Sequence, residues 1–251
     1  MSEDPASRSC PSPEAIWNNR MSENASLKAA VASACLSPAL FSPFDHVFLD
    51  CGSTFAYVAK RIFDAAPAIA PLTIYTTNME VFAMYLASRV RDLIDFRLVG
   101  GRFIPHHNAL DGSCFALSKA SHPDQAAFDR AFIGVCPLAP DLTVMATVTD
   151  VVSVKQHIIS KAREIIVLCD QTKFVEPPLG SRSIGRLILD QSKLSFLLSN
   201  NNSICVPARI IIGVTPNELP AGVQEFMKSA DDFGLLAAGL VRFAEAQEEY
   251  K

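Results

Sequence analysis

Gly52, Ser53 and Thr54, just after an acid at Asp50, are residue types that can hold a phosphate. They lie in the stretch Asp45-His-Val-Phe-Leu-Asp-Cys-Gly-Ser-Thr-Phe-Ala-Tyr-Val-Ala-Lys-Arg61. The apolar run Val47-Phe48-Leu49 ends at Asp50, and small residues follow. Phe55, Val58, Ala59 and Ile62 then recur at helical spacing. The pattern predicts a strand, a tight glycine turn and a helix. Such a turn presents backbone N–H groups and two hydroxyls at a helix N-terminus, where the dipole favours negative charge. A plainer use fits the same residues: a glycine turn with Ser53 or Thr54 capping the helix. The motif alone does not separate the two.

The elements that must position this turn follow from the surrounding sequence. Pro67 and Pro71 are expected to stop the first helix. Leu72-Thr-Ile-Tyr-Thr-Thr77 is short and β-branched, so a buried strand is expected there, ending in Thr77-Asn78. Met79–Val90 reads as a helix, and Ile94-Asp-Phe-Arg-Leu-Val99 as a third strand ending in Gly100-Gly101. Strand–helix alternation predicts an α/β fold, a mostly parallel sheet covered by helices. In such sheets ligands sit at the C-terminal strand ends. Each strand here ends in a small polar or glycine pair, and these endings are expected to converge on one edge.

Further along, the apolar run 128–135 ends near Gly134, and Val152–Arg163 is expected to be helical, with Lys155 in its first half. Ile165-Ile-Val-Leu-Cys169 is the clearest buried strand and runs into Asp170-Gln-Thr-Lys173-Phe174. Residues 175–203, with Pro177-Pro178 and Asn200-Asn-Asn202, read as an insertion. Ala208–Gly213 is a last strand, and Gly222–Ser229 and Phe233–Glu249 are expected to be helical. The domain expectation is a disordered arm over 1–13, a helix (14–36) and linker over 14–43, an α/β domain over 44–230, and a C-terminal helix over 231–251.

Composition narrows the function. At 251 residues with 49% hydrophobic residues, the chain can bury a substantial core. The formal net charge is −4 and no basic stripe is evident, which speaks against unaided nucleic-acid binding. No helix-turn-helix pattern is apparent either. No apolar run approaches the roughly 18–20 residues of a membrane span, and the acidic N-terminus is unlike a signal peptide. The seven cysteines are scattered without a CxxC pair, as expected of reduced thiols in a cytoplasmic protein. His106 and His107 are adjacent, so their side chains diverge, and no metal or other cofactor is expected.

The pattern resembles the C-terminal effector domain of DeoR-family transcriptional regulators, sugar-phosphate sensors on the ribose-phosphate-isomerase and CoA-transferase-like α/β fold. The residues that carry the resemblance are Phe48-Leu-Asp-Cys-Gly-Ser-Thr54, Tyr75-Thr-Thr-Asn78, Leu98-Val-Gly-Gly101, Ala131-Phe-Ile-Gly134, Lys155 and Ile166-Val-Leu-Cys-Asp-Gln-Thr-Lys-Phe174. The resemblance runs from about Arg20 to about Lys228. It implies that Asp50, Gly52, Ser53 and Thr54 hold the phosphate end of an effector. It further implies that Thr77, Asn78, Gly100 and Gly101 line the pocket, and that Lys155, Asp170 and Lys173 reach in from the other side. It also implies a homo-oligomer and coupling to an N-terminal winged helix-turn-helix.

Three departures from the family pattern stand out. The DNA-reading half is missing, so direct DNA binding by this chain alone is not expected. Phe55 stands where the family usually has another Thr. An acid expected shortly before Lys155 is replaced by Val151-Val152, with Asp150 the nearest candidate. Isomerases of the same fold carry acids after the strand that here ends Ile133-Gly-Val-Cys-Pro137, where no carboxylate stands. A proton transfer beside a sugar carbonyl needs a positioned base. The sequence therefore points to a domain that binds a phosphorylated sugar or similar small anion and acts as a sensor, separated from its DNA-binding half by truncation or evolution. The alternative is a sugar-phosphate isomerase, with Asp50 or Asp170 as substitute base. A third reading is an interaction subunit that uses the C-terminal helix expected over 233–249 as its interface.

Overall fold

The computed structural model describes residues 11–37, 40–114, 127–135, 137–146, 151–199 and 204–246. Two short helices come first, α1 (Pro13–Ser22) and α2 (Ala25–Cys35). The single helix expected over 14–36 is broken because Asn24 adopts a left-handed backbone, φ 53°. Lys28 Nζ donates across the break to the carbonyls of Arg20 and Glu23.

The expected alternation follows: β1 (His46–Leu49), α3 (Ser53–Ile69), β2 (Leu72–Thr76), α4 (Met79–Ala87) and β3 (Ile94–Leu98). A small hairpin, β4 (Phe103–Ile104) and β5 (Ala109–Leu110), encloses the 3-10 turn Pro105–His107. Next come β6 (Phe128–Gly134), β7 (Thr143–Ala146), α5 (Val152–Ser160), β8 (Ala162–Asp170) and the 3-10 turn Gln171–Lys173. The chain continues with β9 (Arg182–Asp190), β10 (Lys193–Leu198), β11 (Cys205–Val214), α6 (Ala221–Asp232) and β12 (Val241–Glu245).

Strands β3-β2-β1-β6-β8-β11 lie side by side and parallel. The sheet is thus mostly parallel and helix-covered, as the alternation predicts. Apolar residues of successive positions point to opposite faces, which is why these strands read as unbroken apolar runs. Val47, Leu49, Phe132, Ile166, Leu168 and Ile211 join α2, α3 and α4 in one core. Phe48, Ala131, Ile133, Ile165, Val167, Ile210 and Ile212 join α5, α6 and the β9–β10 hairpin in the other.

Three expectations need correction. Pro67 does not stop α3, which runs to Ile69. Phe55, Val58, Ile62 and Phe63 are buried along this helix. At about 1.5–3 kcal/mol each, they outweigh the roughly 3 kcal/mol cost of a proline in a helix, which here falls in the last turn. The stretch 175–203, expected as an insertion, supplies β9 and β10 to the sheet. The first residues of β11 pair antiparallel with β10, which carries β9 and β7 onward.

The helix expected over 233–249, and with it the C-terminal helix over 231–251, is absent from the described part. Gly234 and Gly239 take left-handed backbones, φ 68° and 67°. Val241–Glu245 then adds a parallel strand to the C-terminal half of β11. Five apolar residues within nine positions suit a helix face or a buried strand equally, and the two glycines decide. The disordered arm expected over residues 1–13 falls mostly outside the described residues. Among the described residues no helix is long and apolar enough to cross a membrane.

Candidate functional site

Where β1, β6 and β8 end, their loops surround a cavity of about 380 Å³. Its floor is the turn between β1 and α3. Gly52 occupies the N-cap position of α3 with φ 116° and ψ 160°, a conformation strained for any residue with a Cβ. No side chain caps the helix, so Ser53 and Thr54 are not spent on capping. Both line the cavity, as do Lys155, Asp170 and Lys173.

Asp50 holds this turn in place from behind. It is 2% exposed and does not line the cavity. Its Oδ1 accepts from the Cys51 N–H at 2.8 Å and its Oδ2 from the Gly134 N–H at 2.9 Å. Lys155 Nζ lies 2.6 Å from the same Oδ2 and donates to the Gly134 carbonyl at 2.9 Å. One buried ion pair therefore ties β1, β6 and α5 together beneath the turn. A carboxylate so engaged fixes backbone geometry rather than meeting an anion, which it would repel.

The other residues implied by the resemblance divide. Asn78 is fully buried. Its Oδ1 accepts from Glu80 and Val81 N–H, capping α4, and its Nδ2 donates to the Gly52 carbonyl at 3.0 Å. Thr77 lines a small neighbouring void together with Asp50. Gly100 and Gly101 lie outside the cavity. A Cβ on Gly101 would fall 2.1 Å from Asp111 Oδ1, so glycine is required there by close packing. Asp170 accepts from the Thr172 N–H at 2.9 Å and from its hydroxyl, and Lys173 Nζ lies 4.0 Å from Asp170 Oδ2. Asp150 and Cys136 lie outside the described residues.

The lining residues that were not expected include Arg20 on α1, Glu23 just after it, Lys28 on α2 and His107 in the 3-10 turn. Arg20 Nη1 donates to the His106 carbonyl and to His107 Nδ1, both at 3.2 Å. Nothing in the sequence signals that α1 would lie over the strand ends, and its apolar residues define no clear face. The local electrostatics are set by burial and by these cations. Burial, with Arg20 and Lys155 nearby, pushes the His107 imidazole down to about 4, so it is neutral. Burial, then the Asp50 charge, pushes the Cys51 thiol up to about 12, which removes it as a nucleophile. Burial lowers the Lys28 ammonium from its ordinary value, with Asp170 opposing. Among the described residues no three His, Cys, Asp or Glu side chains are grouped to hold a metal.

The arrangement can bind a small anion and offers hydroxyl, amide and carboxylate partners for a polar body. The family model described as the DeoR C terminal sensor domain matches residues 23–179. No curated protein matches the chain. Among solved structures, a D-ribose-5-phosphate isomerase in complex with phospho-erythronic acid is 18% identical over 59% of this chain, with a TM-score of 0.42. Ribose 5-phosphate isomerase A from Methanocaldococcus jannaschii is 17% identical over 61%, TM-score 0.42. The eIF2B beta of Chaetomium thermophilum is 13% identical over 60%, TM-score 0.38. The match spans 53% and 55% of the two isomerase chains and 40% of the eIF2B chain.

Proposed function

The chain belongs to the family of DeoR C-terminal sensor domains, and from that premise we propose that it binds a phosphorylated sugar and serves as a regulatory sensor. The observation that carries this reading is the cavity itself. An uncapped helix N-terminus with two hydroxyls, Ser53 and Thr54, faces a space also lined by Arg20, Lys28, Lys155 and Lys173. Phosphate is seated by backbone N–H groups and cations together. The sugar hydroxyls would find Asp170 and His107 on the same walls.

DNA recognition is not assigned to this chain. The net charge is −4, which speaks against unaided nucleic-acid binding. Catalysis is not assigned either: Asp50 is fully engaged, Asp170 is held by Thr172, and Glu23, the other carboxylate on the wall, follows the last turn of α1 rather than a strand end.

The test is a thermal-shift screen of pentose and hexose phosphates, with inorganic phosphate and the unphosphorylated sugars as controls. A saturable rise in melting temperature that requires the phosphoryl group supports the reading. A protein indifferent to every phosphorylated sugar refutes it. Turnover of any of them in the ordinary enzyme range of about 1–10³ s⁻¹ would replace it with the isomerase.

A further inference from the structure

Four cationic side chains line the cavity, with the carboxylates of Glu23 and Asp170 on the same walls, and two of the four stand by a carboxylate. Lys155 pairs with Asp50, Lys173 lies 4.0 Å from Asp170, and Lys28 donates to two backbone carbonyls. Arg20 differs. Among the described residues it meets no carboxylate, and its hydrogen-bond partners are the His106 carbonyl and the neutral His107 ring. A guanidinium can only donate, so His107 Nδ1 accepts and its ring proton sits on Nε2. The second amino group of Arg20 reaches the turn: a Cβ placed on Gly52 would lie 3.9 Å from its Nη2. A charged fork held by neutral partners beside an uncapped helix N-terminus suits an anion of matching planar or tetrahedral geometry.

We propose that α1 is part of the binding site: Arg20 grips the ligand's phosphate together with the Gly52–Thr54 turn, so that occupancy of the cavity pins α1 against the sheet. This rests on the reading that the cavity takes a phosphorylated ligand. The neutral anchor matters, because a carboxylate in place of His107 would compete with the phosphate for the fork. His107 holds the guanidinium in position without neutralising it.

The molecule carries its own reporter. Trp17 is the only tryptophan of the chain, is buried in α1, and lies under Arg20 with Cζ 6.0 Å from the ring centroid. Any displacement of the guanidinium towards a bound anion changes the surroundings of that ring. The experiment titrates the full chain with ribose 5-phosphate, glucose 6-phosphate and inorganic phosphate. It reads Trp17 emission and melting temperature in parallel, for the wild type, Arg20→Gln and Ser53→Asp.

The expected result is that a probe raising the melting temperature also changes Trp17 emission with the same midpoint. Arg20→Gln should weaken binding roughly 10–100-fold, the usual scale for a charge-assisted contact. Wild-type affinity in Arg20→Gln, with Ser53→Asp defective, would overturn the role of Arg20 and leave the cavity reading intact. Unchanged Trp17 emission on saturation would do the same. If no probe binds the wild type, both fail together. Should Arg20→Gln not fold, Arg20→Lys keeps the charge but loses the fork. Weakened binding in that variant supports the proposal, and undiminished affinity overturns it.

Discussion

Two cavities of nearly the same size teach opposite lessons. The one at the ends of β1, β6 and β8 and the one between β9, the 139–142 loop and α6 each enclose about 380 Å³. The first carries four cations, the carboxylates of Glu23 and Asp170 and a helix N-terminus, set among apolar side chains such as Ile16, Phe55, Met145 and Leu168. The second is walled mainly by Leu142, Phe174, Leu187, Leu189, Phe226 and Phe233, with Asp141, Arg186 and Glu225 among its polar groups. Volume therefore does not mark the site. Position does, because only the first lies where a parallel sheet gathers its βα turns, and so does the convergence of positive charge there.

The sharpest way to break this contrast is to disturb each wall at a buried residue. Asp50→Ala leaves Lys155 buried without its partner and strips the Cys51 and Gly134 N–H groups of an acceptor. Losing one partner of a buried pair costs about 3–5 kcal/mol. At about 2–4 °C per kcal/mol for a chain of this size, melting should fall by roughly 6–20 °C, and the ligand response should go with it. Phe226→Ala, in the apolar wall, removes a ring 3% exposed and 5.8 Å from that of Phe174. It should cost a similar 3–5 kcal/mol yet leave the ligand-induced shift intact. If Phe226→Ala abolishes that shift in a folded protein, the distinction between the two cavities is wrong.

A smaller effect tests the turn directly. Ligand at about 100 times Kd should stabilise the fold by roughly 2.7 kcal/mol, a melting shift of about 5–11 °C. Ser53→Asp places a fixed negative charge where the phosphate belongs, and an acid near a helix N-terminus is tolerated by the fold. Differential scanning should show most of the ligand shift gone and the ligand-free melting point little changed. Retention of the full shift would remove the turn from the site.

The sequence disclosed the two cavities unequally. The floor of the charged one was legible because strand, glycine turn and helix are contiguous, whereas Lys155, Asp170 and Lys173, which also line it, were named only through the family resemblance. Its roof was not. Arg20 reaches the turn through α1, whose packing on the 3-10 turn is a long-range contact without local signal. Residues 105–107 were noticed only as a histidine pair. Asn78 was implied as a pocket residue but is buried beneath the turn, since pattern alone cannot tell a lining polar group from one that supports it. The second cavity was invisible altogether. It depends on β9 pairing with β7, which α5 and β8 separate in the chain, and such a long-range antiparallel contact has no local signal. The same limit explains β12, where only the left-handed Gly234 and Gly239 separate strand from helix.

The smallest expected effect isolates His107, the neutral anchor of the charged cavity. Its ordinary value is 6.5, and the fold pushes it down to about 4 through burial, then Arg20 and Lys155. Between these values the unfolded chain binds a proton that the folded chain refuses. Stability from this group is therefore complete above about pH 6.5 and is lost as pH falls towards 4. Protonation also ends the bond from Arg20, because both ring nitrogens then donate. The side chain is partly exposed, so screening reduces the effect to on the order of 1 kcal/mol, or about 2–4 °C. His157 is also shifted downward, by burial and then Lys161, and contributes in the same direction. The informative quantity is thus the difference between wild type and His107→Gln, measured without ligand because a phosphate monoester itself titrates near pH 6. That difference should shrink as pH falls from 7 to 4.5. The apolar cavity offers a control, since Phe226→Ala should lower melting by a similar amount at both ends of the range. A His107→Gln profile parallel to the wild type would mean that the imidazole is not held neutral, and that Arg20 is anchored some other way.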